Sequence, residues 1–117
     1  MIHFQYARTI AIGEAFRFGG VDDPRSSGAT SVAYACLLAV PWALGLRRLH
    51  LLFAAYAYGA IGWGFLAEGM HRIGEKLWGP LQGIGAGILT FTFAGIAWHA
   101  CSAMETIPAM AIVAWTL

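Results

Sequence analysis

The longest stretch of the chain without Asp, Glu, Lys or Arg is Leu77–Met104, LWGPLQGIGAGILTFTFAGIAWHACSAM. A helix that crosses ~30 Å of hydrocarbon needs about 20 mostly apolar residues, at ~1.5 Å of rise each. This stretch is long enough, and its one histidine, His99, lies near its carboxyl end. Pro80 suits the first turn of a helix, where no N–H partner is required. We therefore predict one continuous membrane-spanning helix over 80–104.

The composition also points to a membrane protein. The 117 residues are 59% hydrophobic and 11% charged, with a mean hydropathy of +0.65. A soluble domain carries about 25% charged residues, so this chain has too few to cover a surface that faces water. The length indicates a single domain, 1–117. A net charge of +1 without a Lys/Arg cluster argues against nucleic acid as a partner.

Two further spans are predicted at 29–46 and 49–70, because both segments are apolar and almost free of charge. Pro41 should kink the first of them. The pair Arg47–Arg48 predicts a tight turn between antiparallel helices, and the polar segment Glu68–Lys76 predicts a second turn before the third span.

The two ends of the chain are too polar or too short to cross. Residues 1–28 predict an interfacial arm, helical or irregular, followed by a turn-rich loop over 19–28. The arm lacks a basic region followed by an apolar one, so we expect the spans to act as their own insertion signals. Residues 106–117 predict a short apolar helix packed against a partner. The expected fold is an all-α integral membrane protein with three transmembrane helices.

The distribution of Lys and Arg predicts an orientation. Three spans place the arm, with Arg8, on the same side as the segment 68–76, and place the Arg47–Arg48 turn on the other. More Lys and Arg fall on the first side, and cytoplasmic loops are enriched in them. We therefore expect a bacterial inner-membrane protein with a cytoplasmic amino terminus.

Small residues spaced four apart suggest where helices touch. Gly59 follows Ala55 by four residues, and Gly83 and Gly87 form a G-x-x-x-G match in the third span. Such positions let helix backbones approach closely, and packing drives association in lipid. We expect these glycines to pack against other helices, including those of other membrane subunits.

The histidines are the candidate cofactor ligands. His50 and His99 are equally distant in sequence from the turn at 74–75, so an antiparallel hairpin places them at similar depth. Two imidazoles that face each other between helices can ligate haem b. Arg47 and Arg48 lie next to His50 and could pair with haem propionates or with a lipid headgroup.

Other ligand sets remain open. His71 and His99 each follow a small residue by four positions, which suits a chlorophyll-type pigment. Cys101 and Met104 lie near His99 and offer soft ligands for copper(I). The alternative to a cofactor site is that the histidines simply lie at the membrane–water interface, and that Glu68 forms ion pairs with neighbouring side chains on its own helix.

No disulfide bond is expected between the two cysteines. Cys36 and Cys101 should lie roughly 15 Å apart along the membrane normal, beyond the reach of a disulfide.

No nucleophile–base pair, phosphate loop or zinc motif is present in the sequence. We therefore expect a non-catalytic membrane subunit that binds lipids and other subunits at the edge of a larger, bioenergetic complex. Its size and layout are similar to those of the three-helix membrane anchors of respiratory enzymes, in architecture and not in motif. The alternatives are a subunit that holds haem b or a pigment, and a small homo-oligomeric carrier or channel.

Overall fold

The structure is a computed structural model that describes residues 2–18, 22, 24, 31–102 and 104–116. Over these residues the chain is helical, and no strand occurs among them. The chain divides into an amino-terminal unit, Met1–Ala54, and a carboxy-terminal unit, Ala55–Leu117. The helices, in chain order, are α1 Ile2–Ala11, α2 Val32–Ala43, α3 Leu49–Trp78, α4 Pro80–Thr92, α5 Ala94–Ala100 and α6 Thr106–Thr116.

In the amino-terminal unit α1 packs against α2. Large side chains fill the contact: Tyr6 on α1 and Tyr34 and Leu38 on α2 are each 2% exposed or less. The ring of His3 meets that of Tyr34 edge to face at 5.6 Å. Residues 2–11 of the predicted arm are therefore helical, and they dock on a helix of their own chain.

The segment after α1 folds back because of Thr9, a fully buried side chain. Its hydroxyl lies 2.8 Å from the carbonyl oxygen of Arg17 and 3.1 Å from that of Tyr6. The rings of Tyr6 and Phe18 then approach to 5.9 Å. A buried hydroxyl needs such a partner, because an unpaired one would lose its hydrogen bond to water without compensation.

Helix α2 is shorter than the predicted span over 29–46. It begins after Ser31, whose side chain accepts a hydrogen bond from the backbone N–H of Tyr34, and it ends at Ala43 after 12 residues. That length corresponds to about 18 Å, well below ~30 Å of hydrocarbon. Residues 29–30 and the predicted loop over 19–28, apart from Asp22 and Pro24, lie outside the described residues.

Helix α3 is longer than the predicted span over 49–70. It runs for 30 residues, about 45 Å, so the turn predicted over Glu68–Lys76 is wrong. The charged residues there continue the helix, since Arg72 pairs with Glu68 one turn earlier at 2.7 Å. Helix α3 ends at Trp78, where Gly79 has a φ of 104°. A positive φ favours glycine, because glycine has no Cβ to clash in this conformation.

The predicted continuous helix over 80–104 is also wrong. It breaks at Phe93 into α4 and α5, which meet at an angle of 57°. The hydroxyls of Thr90 and Thr92 each bond the carbonyl four residues earlier at 2.8 Å, an arrangement that bends helices. Gly95, a poor helix former, follows directly.

The break is held by the indole of Trp63 on α3. Its N–H donates to the carbonyl oxygen of Thr90 at 3.3 Å, and its ring stacks on Phe91 with centroids 4.5 Å apart. The Thr90 carbonyl lies in the last turn of α4, where helix carbonyls lose their own backbone donors. Trp63 therefore supplies a hydrogen bond that the broken helix cannot make for itself.

The carboxy-terminal unit is closed by α6, the short apolar helix that the sequence predicts. It packs on α3 of its own chain, around a core in which Leu66, Ile107 and Ala111 are at most 6% exposed. The indole N–H of Trp115 donates to the carbonyl oxygen of Phe65 at 2.9 Å. The structure thus shows this helix against α3 of its own chain, and its predicted contact with a partner stays a prediction.

Among the described residues, α3 alone is clearly long and apolar enough to cross a membrane. The bent pair α4–α5 is also long and apolar enough if its two helices count as one span. The structure therefore confirms an all-helical fold with one segment able to span. The predicted number of three spans is not confirmed.

Candidate functional site

The turn between α2 and α3 presents two arginines in different ways. The guanidinium of Arg47 donates to the carbonyl oxygens of Trp42 and Leu46 and lies 4.0 Å from the centroid of the Trp42 ring. Stacking on an indole face holds a cation in place without neutralising its charge. Arg48 has a φ of 48°, a left-handed conformation that is uncommon for residues other than glycine. Both side chains are exposed.

These arginines share a groove with α1, which we call the cationic groove. It has a volume of about 520 Å³ and lies within the amino-terminal unit. Among the described residues that line it, three carry a guanidinium, none is acidic, and the others are apolar or amide side chains; these residues are Phe4, Gln5, Arg8, Trp42, Arg47, Arg48 and Leu51. Such a lining is suited to an anion, because guanidinium groups match the oxygens of phosphate and carboxylate.

The cationic groove brings Arg8 together with the pair Arg47–Arg48. Three spans would place them on opposite sides of ~30 Å of hydrocarbon, so that part of the predicted topology does not fit the groove. The cytoplasmic orientation of the amino terminus stays a prediction. The sequence predicted Arg47 and Arg48 as anion ligands but missed Arg8 and Gln5, which reach the groove only because α1 packs on α2.

The two histidines of the predicted haem site lie in different units. His50 is exposed in the first turn of α3, in the amino-terminal unit. His99 is exposed at the end of α5, in the carboxy-terminal unit. The haem b site therefore stays a prediction.

His71 lines a second groove, which we call the histidine groove, with a volume of about 390 Å³ on α3 and α4. Its Nε2 lies 3.8 Å from a carboxylate oxygen of Glu75, and its side chain is 31% exposed. The rest of the lining is small or apolar except for Glu68, and comprises Gly64, Ala67, Glu68, Ile84, Gly87, Ile88 and Phe91. An imidazole beside a carboxylate and an apolar wall could hold the metal of a flat tetrapyrrole.

The three glycines predicted at helix contacts all lie against other helices of the carboxy-terminal unit. A Cβ on Gly59 would overlap the carbonyl oxygen of Ala100 on α5. A Cβ on Gly83 would lie 2.7 Å from the carbonyl oxygen of His71, and one on Gly87 would lie 3.2 Å from the Cβ of His71. The close backbone approach that glycine permits is therefore used within the chain.

The sulfur residues predicted as soft-metal ligands are exposed. Cys101 is an exposed free thiol that lines an apolar groove of about 430 Å³ with Tyr56 and Trp63, and Met104 is exposed after α5. Cys36 is likewise an exposed free thiol, on α2. Within the part of the chain that the structure describes, no three His, Cys, Asp or Glu side chains form a group that could hold a metal ion.

Comparisons with known proteins give no assignment: no protein-family model, no curated protein and no solved structure matches this chain.

Proposed function

We propose that this chain is a small, non-catalytic integral membrane subunit that packs among lipids and other subunits at the edge of a larger membrane complex, of the bioenergetic kind. The observation that carries the proposal is the exposure of α3. In its most apolar stretch of 18 residues, only 28% is buried within the structure. The core helix of a soluble protein is mostly buried, whereas a helix in lipid exposes its apolar side chains to hydrocarbon.

The rest of the carboxy-terminal unit shows the same exposure. The side chains of Leu81 and Leu89 on α4 are 77% and 70% exposed, Trp98 on α5 is 73% exposed, and Ile112 on α6 is 67% exposed. Large contiguous apolar surfaces are rare on soluble monomers and are characteristic of membrane or subunit contacts. Lipid and partner helices are the surroundings that such a surface requires.

Of the three spans that the sequence predicts, the proposal retains α3 as a full crossing and treats the bent pair α4–α5 as a second. The Thr90 carbonyl at the break accepts a hydrogen bond from Trp63, which supplies one of the partners that backbone groups in hydrocarbon require within the protein. Helix α2 would cross only if the bilayer thinned around it, so we assign it to the region near the interface.

Two steps test this proposal. The first treats membranes that contain the tagged protein with alkaline carbonate, and we expect the chain to stay in the pellet. The second solubilises the membranes in mild detergent and identifies the polypeptides that migrate with the tag on a native gel. Release by carbonate, or monodisperse behaviour in buffer without detergent, would contradict the membrane location.

Gly85 provides a specific probe of a partner contact. A Cβ built on this residue of α4 meets nothing within 4 Å, so the chain itself leaves the position open. We expect Gly85→Leu to weaken association with other polypeptides while the thermal stability of the isolated chain is retained. If the chain migrates only with copies of itself, the carrier or channel alternative replaces the accessory subunit.

The histidine groove supports a second candidate function, a subunit that holds haem b or a chlorophyll-type pigment on His71. The test is the visible absorption spectrum of the protein purified from its native membrane. A Soret band that disappears in His71→Ala, and persists in His50→Ala and His99→Ala, would support this candidate. A spectrum without visible bands would exclude it, and loss of the band only in the His50 and His99 variants would favour the predicted haem pair.

A further inference from the structure

We propose that the cationic groove of the amino-terminal unit binds the phosphate of an anionic phospholipid, with phosphatidylglycerol as the simplest example. The inference rests on the proposed membrane location and adds a ligand of defined chemistry. It depends on three arginines that line one groove although Arg8 is far from the other two in sequence. Arg8 comes from α1, and the other two guanidiniums come from the turn that precedes α3.

The charge of the groove selects an anion. Arg8, Arg47 and Arg48 each carry a guanidinium, whose planar N–H donors match phosphate oxygens, although one nitrogen of Arg47 already donates to backbone carbonyls. The amide of Gln5 adds hydrogen-bonding capacity, and the described lining residues include no carboxylate. Because the arginines belong to two elements, a ligand in the groove would contact both α1 and the turn that precedes α3.

The apolar part of the groove selects a lipid over a free anion. Phe4, Trp42 and Leu51 line the same groove, and tryptophan is typical of the level at which lipid headgroups meet hydrocarbon. Leu44 and Leu49, on either side of the arginines in sequence, are 76% and 65% exposed. They provide an apolar surface for acyl chains whose headgroup lies in the groove.

The backbone of the turn gives an independent indication. Arg48 has a φ of 48°, a conformation that glycine or asparagine adopts with less strain. Strained residues of this kind cluster at binding sites, where the side chain is needed in spite of the backbone. In this turn the strained residue places a third guanidinium in the groove.

The experiment measures lipid adducts of the full-length protein by native mass spectrometry from detergent micelles, titrated with phosphatidylglycerol or phosphatidylcholine. We expect phosphatidylglycerol to bind more tightly. Arg48→Asn should weaken phosphatidylglycerol binding about fivefold, from about 1 kcal/mol per arginine near an anionic lipid surface. The combined Arg8→Gln, Arg47→Gln and Arg48→Gln variant should weaken it roughly a hundredfold on the same scale.

Two features of the design separate binding from folding. Asparagine tolerates the left-handed backbone at position 48, so Arg48→Asn should keep or raise the unfolding temperature while phosphatidylglycerol binding falls. Arg72→Gln is the matched control, because it removes an arginine of α3 that is paired with Glu68 and does not line the cationic groove. We expect it to leave phosphatidylglycerol binding unchanged.

The alternative outcomes are distinct. Equal retention of the two lipids, or equal losses in Arg48→Asn and Arg72→Gln, would overturn the inference. If millimolar inorganic phosphate displaces phosphatidylglycerol, the groove takes free phosphate and the lipid assignment is wrong. If the protein resists carbonate extraction but shows no lipid preference, only the groove fails; if carbonate releases it, the membrane location fails as well.

Discussion

The closest helix contacts of the two units are made in different ways. In the amino-terminal unit large side chains fill the space between helices, with Tyr34 and Leu38 almost fully buried. In the carboxy-terminal unit α6 also packs through side chains, but α4 and α5 meet α3 where side chains are absent, as at Gly59 and Gly83. The first kind of contact is weakened when a side chain becomes smaller, and the second is weakened when one becomes larger. The same apolar composition thus supports two packing modes with different sensitivities to mutation.

The largest effect is expected from a truncation in the amino-terminal unit. Leu38→Ala removes a side chain that is 0% exposed and leaves a cavity between α1 and α2, so we expect a loss of about 3 kcal/mol in the free energy of unfolding. Denaturant unfolding in micelles, followed by circular dichroism, measures it. Leu37→Ala, at a neighbouring position that is 47% exposed, should cost less than about 1 kcal/mol. Equal effects of the two truncations would contradict the assignment of this contact as a filled core.

In the carboxy-terminal unit a larger side chain, not a smaller one, should lower the free energy of unfolding. Gly59→Ala adds a Cβ that overlaps the carbonyl oxygen of Ala100, so α5 must shift, at a cost of about 2 kcal/mol. Gly64→Ala is the control on the same helix, where a Cβ meets nothing within 4 Å. It should be neutral or stabilising by up to about 1 kcal/mol, because alanine is the better helix former. The two unfolding curves, recorded side by side in micelles, check the contrast.

In the carboxy-terminal unit the break at Phe93 is stabilised by a polar contact. Trp63→Phe removes the N–H that bonds the Thr90 carbonyl but keeps an aromatic ring against Phe91. We expect a loss of about 1 kcal/mol in the free energy of unfolding, because the carbonyl is left without its donor. Trp98→Phe changes an indole that is 73% exposed and should have little effect. If both variants behaved alike in thermal unfolding, the indole would not hold the break.

The smallest expected effect concerns the buried hydroxyl of the amino-terminal unit. Thr9→Val keeps the volume but removes the hydrogen bond to the carbonyl of Arg17, at a cost of about 1 kcal/mol or less. Thr92→Val, in the other unit, removes an exposed hydroxyl that bonds only within its own helix. We expect it to be close to neutral in the same unfolding assay. A larger loss from Thr92→Val would show that local helix bonds matter more than the fold-back.

Part of the candidate site could be predicted from the sequence. Arg47 and Arg48 are adjacent in the chain, and a pair of arginines between two apolar segments indicates an interfacial turn with affinity for anions. Arg8 could not be assigned to the same site, because it is separated from that turn by a loop and a helix. Its place depends on the packing of Tyr6 and Ala7 against α2, which sequence spacing does not report.

The predicted helix boundaries were wrong where the hydropathy of the side chains does not reflect the geometry of the backbone. The uncharged stretch Leu77–Met104 looks continuous because hydropathy sums side chains, whereas the break at Phe93 results from threonine hydroxyls, a glycine and an indole on another helix. The polar segment Glu68–Lys76 looked like a turn because charge marks surfaces, but Glu, Arg and Lys are good helix formers and continue α3.

The sequence by itself determined that this chain is helical, rich in apolar residues and poor in charge, because composition and the spacing of apolar residues are properties of single segments. The tertiary structure alone decided which elements meet: α1 on α2, α6 on α3, and three arginines in one groove. The physical reason is that contacts between segments far apart in sequence depend on how the surfaces of the folded helices fit together. Which glycine meets a neighbouring helix, and which donor reaches a given carbonyl, is determined only when two backbones come close.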